Sequence, residues 1–144
     1  MLQVILLGAT LLAGLLGVAA WDGPLRPLTS LVGAALVLVA LFMVARGFID
    51  LGRNLTPVPR PRPDAQLVET GIYGLVRHPI YGGIILGSVG YGLLTASPLV
   101  LVLALGVALF FFLKSQREEA WLLAHYPAYV AYRGGTRRFI PWVF

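Results

Sequence analysis

Four apolar runs, Leu2 to Ala20, Leu28 to about Ile49, Ile80 to about Thr95 and Leu99 to Leu113, constrain this chain more than any other feature. A helix crosses the roughly 30 Å hydrocarbon core of a bilayer in about 20 residues, and these runs approach or reach that length. Composition argues against a water-soluble alternative, because 58% of the 144 residues are apolar and 12% are charged, which is more apolar surface than so short a chain can bury. The expected fold is an all-α integral membrane protein with about four transmembrane helices in a single unit, its 17 glycines allowing close helix contacts. There is no cysteine, which excludes disulfides and thiolate metal sites.

Each run has its own punctuation. The first lacks a basic start and is followed by Trp21-Asp22-Gly23-Pro24 in place of a small-residue cleavage pattern, so it reads as a retained helix and not as a signal peptide. The third and fourth are short and meet at Ala96-Ser97-Pro98, where the proline suits a first helical position; residues 79–113 are therefore expected to form a tight helical hairpin. Lys114 to His125 contains neither Gly nor Pro, which extends the fourth helix out of the membrane until Pro127.

Ten of the eleven basic residues lie between Arg46 and Arg77 or after Leu113, and the positive-inside rule makes both segments cytoplasmic. The expected topology is multi-pass, with two N-terminal helices in 1–50, a cytoplasmic connector in 51–78, the hairpin, a cytoplasmic helix and tail in 114–144, and both termini inside. The cytoplasmic membrane of a prokaryote is the expected location. The net charge of +5 is then a topology signal and an attraction to anionic lipid. Nucleic-acid binding is not expected, because the arginines are scattered among prolines without a reading module.

Three polar elements carry the candidate chemistry. In Arg77-His78-Pro79-Ile80-Tyr81 the proline at a first helical position places His78 near a cap, and a helix start beside an arginine favours a carboxylate or phosphate. The same residues also suit a snorkelling anchor, with Tyr81 in an aromatic belt. Glu118-Glu119 stand near the C-terminal part of a helix, opposed by its dipole and by each other. Either they form a solvated face, or a cation compensates them, with Arg77, Lys114, Arg117 or a cationic ligand as candidates. The tail places Tyr129 and Tyr132 three apart and Arg137-Arg138 before an apolar end containing Trp142, which suits a segment lying on the membrane surface. His78 and His125 have no ligand spacing, so no metal is expected. Between Arg53 and Asp64, four prolines in seven residues predict a stiff connector, a lid or an inert basic linker.

The order of these elements, Gly71-Ile72-Tyr73-Gly74-Leu75-Val76-Arg77-His78-Pro79-Ile80-Tyr81-Gly82-Gly83, a hairpin, Glu118-Glu119, Tyr129-Val130-Ala131-Tyr132 and Arg138-Phe139-Ile140-Pro141, resembles the isoprenylcysteine carboxyl methyltransferase family and related membrane phospholipid methyltransferases. The resemblance spans roughly Leu67 to Pro141. It implies S-adenosylmethionine as methyl donor in a cytoplasm-facing pocket, and a lipophilic or lipidated acceptor arriving from the bilayer. Arg77, His78, Pro79 and Tyr81 would then meet the donor from the helix start, Glu118 and Glu119 would accept from its ammonium or ribose, and Tyr129 and Tyr132 would close the site. A carboxylate acceptor needs no general base near neutral pH; it needs a steering cation, and Arg138 is assigned that catalytic role. Two other classes fit part of the sequence. A nicotinamide-dependent membrane reductase of the sterol type has a similar C-terminal architecture but would rest only on Arg60 and Arg62 for its second phosphate. A non-catalytic scaffold would use the arginines and glutamates only as salt bridges.

Overall fold

The computed structural model describes residues 1–18, 20–52 and 67–141. Five α-helices follow in order: α1 Leu2–Leu15, α2 Arg26–Leu51, α3 Pro79–Leu94, α4 Pro98–His125 and α5 Tyr129–Gly135, with a short 3-10 turn at Gly71–Gly74 before α3. Among the described residues there is no strand, only one isolated parallel bridge between Val76 and Arg137. The regular structure of the described residues is thus helical, and two of these helices are of membrane-spanning length. At 26 and 28 residues, α2 and α4 reach about 40 Å, and they are the two described helices long and apolar enough to cross a bilayer. At 14 and 16 residues, α1 and α3 are apolar but span only about 20–24 Å. Leu31, Leu38, Leu41, Phe42, Leu105 and Leu109 point outward, each more than half exposed. Apolar side chains exposed along α2 and α4 call for an apolar solvent, which is the bilayer.

Helix α1 stops five residues short of the expected Ala20, and backbone geometry supplies the reason. Gly17 adopts φ +62°, and the amides of Gly17 and Val18 donate to the carbonyls of Gly14 and Ala13. This is a Schellman termination, in which a glycine takes the left-handed conformation. The hairpin follows the expectation more closely. α3 ends at Leu94, Pro98 occupies the first turn of α4, and the Ser97 hydroxyl accepts from the Val100 amide while donating to Val18 O at 2.6 Å.

The centre of the bundle is the α2–α3 contact, made where neither helix carries bulk. A Cβ on Gly33 would meet the backbone of Gly90 and Leu94, and one on Gly90 would meet the backbone of Gly33 and Val37. Backbones this close give dispersion contacts that membrane helices cannot obtain from a hydrophobic driving force.

At the polar end, Asp50 near the end of α2 accepts from the Ile72 amide at 2.8 Å and pairs with Arg46 at 2.8 Å. Gly71, at φ +64°, lies directly against the Asp50 carboxylate, so the returning chain is pinned as it re-enters the bundle. The tail after α5 is pinned as well. Arg77 N donates to Arg137 O at 2.8 Å, His78 N to Arg138 O at 2.9 Å, and Arg137 N to Leu75 O at 3.2 Å. Residues 136–139 are held against the protein by this backbone pairing and by a buried Phe139. Trp142 and the proline-rich segment with Arg60 and Arg62 lie outside the described residues.

An alanine at Gly33 is expected to destabilise the protein by roughly 1–3 kcal/mol, whereas an alanine at Gly8, which has open space around it, is expected to be neutral. Thermal melting of both variants in detergent checks this.

Candidate functional site

The sequence order of the polar end explains how distant residues meet. His78 is the N-cap of α3 with Pro79 in the first turn, which turns Arg77 and His78 toward α4, where Glu118 and Glu119 sit beyond the apolar run. α5 and the paired tail then bring Arg133 and Arg138 over the same place.

Glu119 is the centre of the arrangement. Its side chain is 3% exposed, so the reading of a solvated carboxylate face is overturned for this residue. Its Oε1 accepts from Arg77 Nε at 3.1 Å and Arg138 Nε at 3.2 Å, its Oε2 accepts from Arg138 Nη2 at 3.0 Å, and Arg133 Nε stands 3.6 Å away. His78 Nε2 lies 3.3 Å from Oε1. Burial on its own would push this carboxyl up, but the hydrogen bonds from His78, Arg138 and Arg77 outweigh it and hold the group at about 2. Lys114 and Arg117, expected among the compensating cations, are not Glu119's partners: Lys114 Nζ donates instead to Gln3 Oε1 at 3.1 Å, and Arg117 is exposed.

Glu118 has a different setting, with a quarter of its side chain exposed. Tyr81 donates to its Oε2 at 2.8 Å, and His78 Nδ1 is 3.9 Å from the same oxygen. The Tyr81 and His78 rings stack with centroids 5.3 Å apart and planes 3° apart. Arg77 is buried and donates through Nη1 to the carbonyls of Arg133, at 3.0 Å, and Thr136. It therefore binds Glu119 to the chain turn after α5.

The two expected tyrosines differ. Tyr132 donates to Tyr73 O at 2.7 Å, tying α5 to the 3-10 turn. Tyr129 is 1% exposed, and its hydroxyl has no hydrogen-bond partner among the described residues. Burial pushes both phenols upward, so each remains a protonated donor at neutral pH. Every residue expected from the sequence, Arg77, His78, Pro79, Tyr81, Glu118, Glu119, Tyr129, Tyr132 and Arg138, is thus found at this one end. Sequence reasoning missed Arg133, whose signal is weak, and Asp50, whose i,i+4 spacing from Arg46 was the available cue.

Beside this polar cluster lies an apolar cleft of about 330 Å³. Gly82 and Ile85 of α3, Ala108, Leu109 and Phe112 of α4, and Phe139 and Ile140 of the tail line it. The Arg138 guanidinium lies 5.2 Å from the Phe112 ring centroid, placing a cation between the cleft and Glu119. Among the described residues no cluster of His, Cys, Asp and Glu has the makings of a metal site.

Residues 28–129 match the phospholipid methyltransferase family, and the chain belongs to it. A cobalt-zinc-cadmium resistance protein, CzcN, of Cupriavidus metallidurans is 34% identical over 132 residues, covering 88% of this chain and 56% of that protein. The protein-S-isoprenylcysteine O-methyltransferase of Saccharomyces cerevisiae is 28% identical over 120 residues, covering 81% and 50%. A solved eukaryotic intramembrane Ras methyltransferase, isoprenylcysteine carboxyl methyltransferase, superposes with a TM-score of 0.72 at 24% identity, over 79% of this chain and 42% of that one. That likeness shows the fold. The chain spans about half the length of the curated relatives it matches.

Glu119→Ala is expected to cost about 3–5 kcal/mol, since it leaves buried guanidinium groups without their anion. The carboxyl is held near 2 in the folded protein against an ordinary 4.5. Its contribution is therefore complete above about pH 4.5 and is lost as pH falls toward 2. Stability measured by denaturant titration across that window should fall steeply in the wild type and less steeply in Glu119→Gln.

Proposed function

We propose that this chain is an integral membrane S-adenosylmethionine-dependent methyltransferase acting on a lipophilic carboxylate, with four crossings and both termini cytoplasmic. The supporting observation is the meeting of a cation-rich helix start, two glutamates and an apolar cleft within one end of the bundle. The short α1 and α3 complete the four crossings by drawing the bilayer thinner around them. The yeast relative is an isoprenylcysteine O-methyltransferase, which belongs to the same reaction class.

The residues fit the donor on two counts. The buried Tyr129 hydroxyl lacks a partner among the described residues, and a buried donor left unsatisfied there suits a group supplied from outside. Glu118 retains exposed carboxylate surface suited to an ammonium or ribose hydroxyl, next to the start of α3. When bound, S-adenosylmethionine supplies an electrophilic methyl on a sulfonium. The chain aligns and dehydrates: α3, α4 and the tail shape the cleft for the acceptor's apolar part, and Arg138 at its edge steers the carboxylate. Arg77 acts indirectly, by holding Glu119 and the α5 turn in place.

A non-catalytic scaffold has one observation in its favour, because Arg77 and Glu119 already satisfy each other. Transfer of labelled methyl groups from S-adenosylmethionine to membrane lipids, or to a prenylated thiol acid, by purified protein separates the readings. A methyl ester is base-labile and releases volatile methanol on hydrolysis, and Arg138→Ala should reduce ester formation at least about tenfold. No transfer to any lipophilic acid, amine or thiol would favour the scaffold, and base-stable label would move the acceptor to an amine or thiol.

A further inference from the structure

Lys114 is a cation at the polar end that the Glu119 network does not use. Its half-buried ammonium donates to Gln3 Oε1 of α1 and lies 4.9 Å from the Tyr81 ring centroid and 5.7 Å from that of Phe111. The two rings are themselves in contact, with centroids 4.8 Å apart. The Tyr81 hydroxyl donates to Glu118 at 2.8 Å, and this polarisation increases electron density on the ring. The surface is therefore attractive to cations for two reasons, an aromatic face and a carboxylate at its edge. Among the described residues its present cation, on a flexible four-carbon stem, bonds one neutral amide and no carboxylate, so it can leave without abandoning a salt bridge there.

We propose that Tyr81, Phe111 and Glu118 form a subsite for the cationic centre of a ligand, a sulfonium or an alkylated ammonium, and that Lys114 is its internal occupant, displaced when such a ligand binds. The proposal rests on the donor reading above and deepens it. In methyl transfer the carboxylate oxygen forms the new O–CH3 bond with its own electron pair, while the C–S bond breaks with its pair staying on sulfur. The sulfonium becomes a neutral thioether and the acceptor a neutral ester. The aromatic face thus holds the donor and loses its hold on the product. The return of Lys114 to the ring then favours product release.

The test is the ratio of affinities for S-adenosylmethionine and the neutral S-adenosylhomocysteine, measured by calorimetry on the detergent-purified full chain. Lys114→Met and Lys114→Gln remove the competing cation and should raise the ratio by about threefold or more, while Tyr81→Leu removes the ring and should lower it by a similar factor. Melting curves confirm that each variant is folded, and the two Lys114 variants guard against one failing to fold. Both shifts are required. A ratio that stays put or falls in the Lys114 variants, or holds in Tyr81→Leu, overturns the subsite while leaving the donor site standing. A wild type that binds neither ligand overturns the donor reading and the subsite together.

Discussion

A carboxylate withdrawn from water organises the polar end of this molecule. Glu119 sits on α4 with its charge intact, and a buried charge persists only where cations and hydrogen bonds replace its hydration. The replacements come from three separate stretches: Arg77 and His78 ahead of α3, Arg133 in α5, and Arg138 in the tail. Each stretch also buries apolar residues, Val76, Tyr129 and Phe139 among them. Their common attachment to one anion is what makes them a site.

The same attachment sets the division of labour between the paired glutamates. Glu119 is saturated by the protein and cannot serve a ligand without breaking that network. Glu118, one residue earlier and facing Tyr81, keeps exposed surface. The tail paired beside Leu75 and Arg77 puts Phe139 and Ile140 along the apolar cleft and Arg138 at its polar edge. An amphiphile lying in the cleft would therefore present its head to the cluster from the membrane side, while a water-borne cofactor would approach from the exposed side of Glu118. This two-sided access is what transfer between a soluble donor and a lipid acceptor demands.

Much of this was legible in the sequence wherever the signal was local. Pro79 marked the start of α3, Ser97-Pro98 the start of α4, and the unbroken Lys114–His125 stretch its extension, because each depends on backbone chemistry within a few residues. The end of α1 was misjudged even though Gly17 was in plain view, since an apolar run carries no information about where a glycine will turn left-handed. The partners of Glu119 were legible in kind but not in identity. Arg77 was named, but Lys114 and Arg117, close by on the same helix, drew attention from Arg133 and Arg138. Backbone pairing of the tail with residues 75–78 places Arg138, and the Tyr132 bond to the Tyr73 carbonyl places α5 with Arg133; nothing in the composition of Arg137-Arg138 distinguishes such pairing from a surface anchor.

Methyl transfer at this polar end requires a donor pocket there, and binding of S-adenosylmethionine to wild-type protein and to Glu118→Gln tests that pocket most directly. Saturable binding by the wild type, weakened about tenfold or more in a folded Glu118→Gln variant, is the expected result. No binding by the folded wild type, or an affinity that ignores the loss of the Glu118 charge, would contradict it.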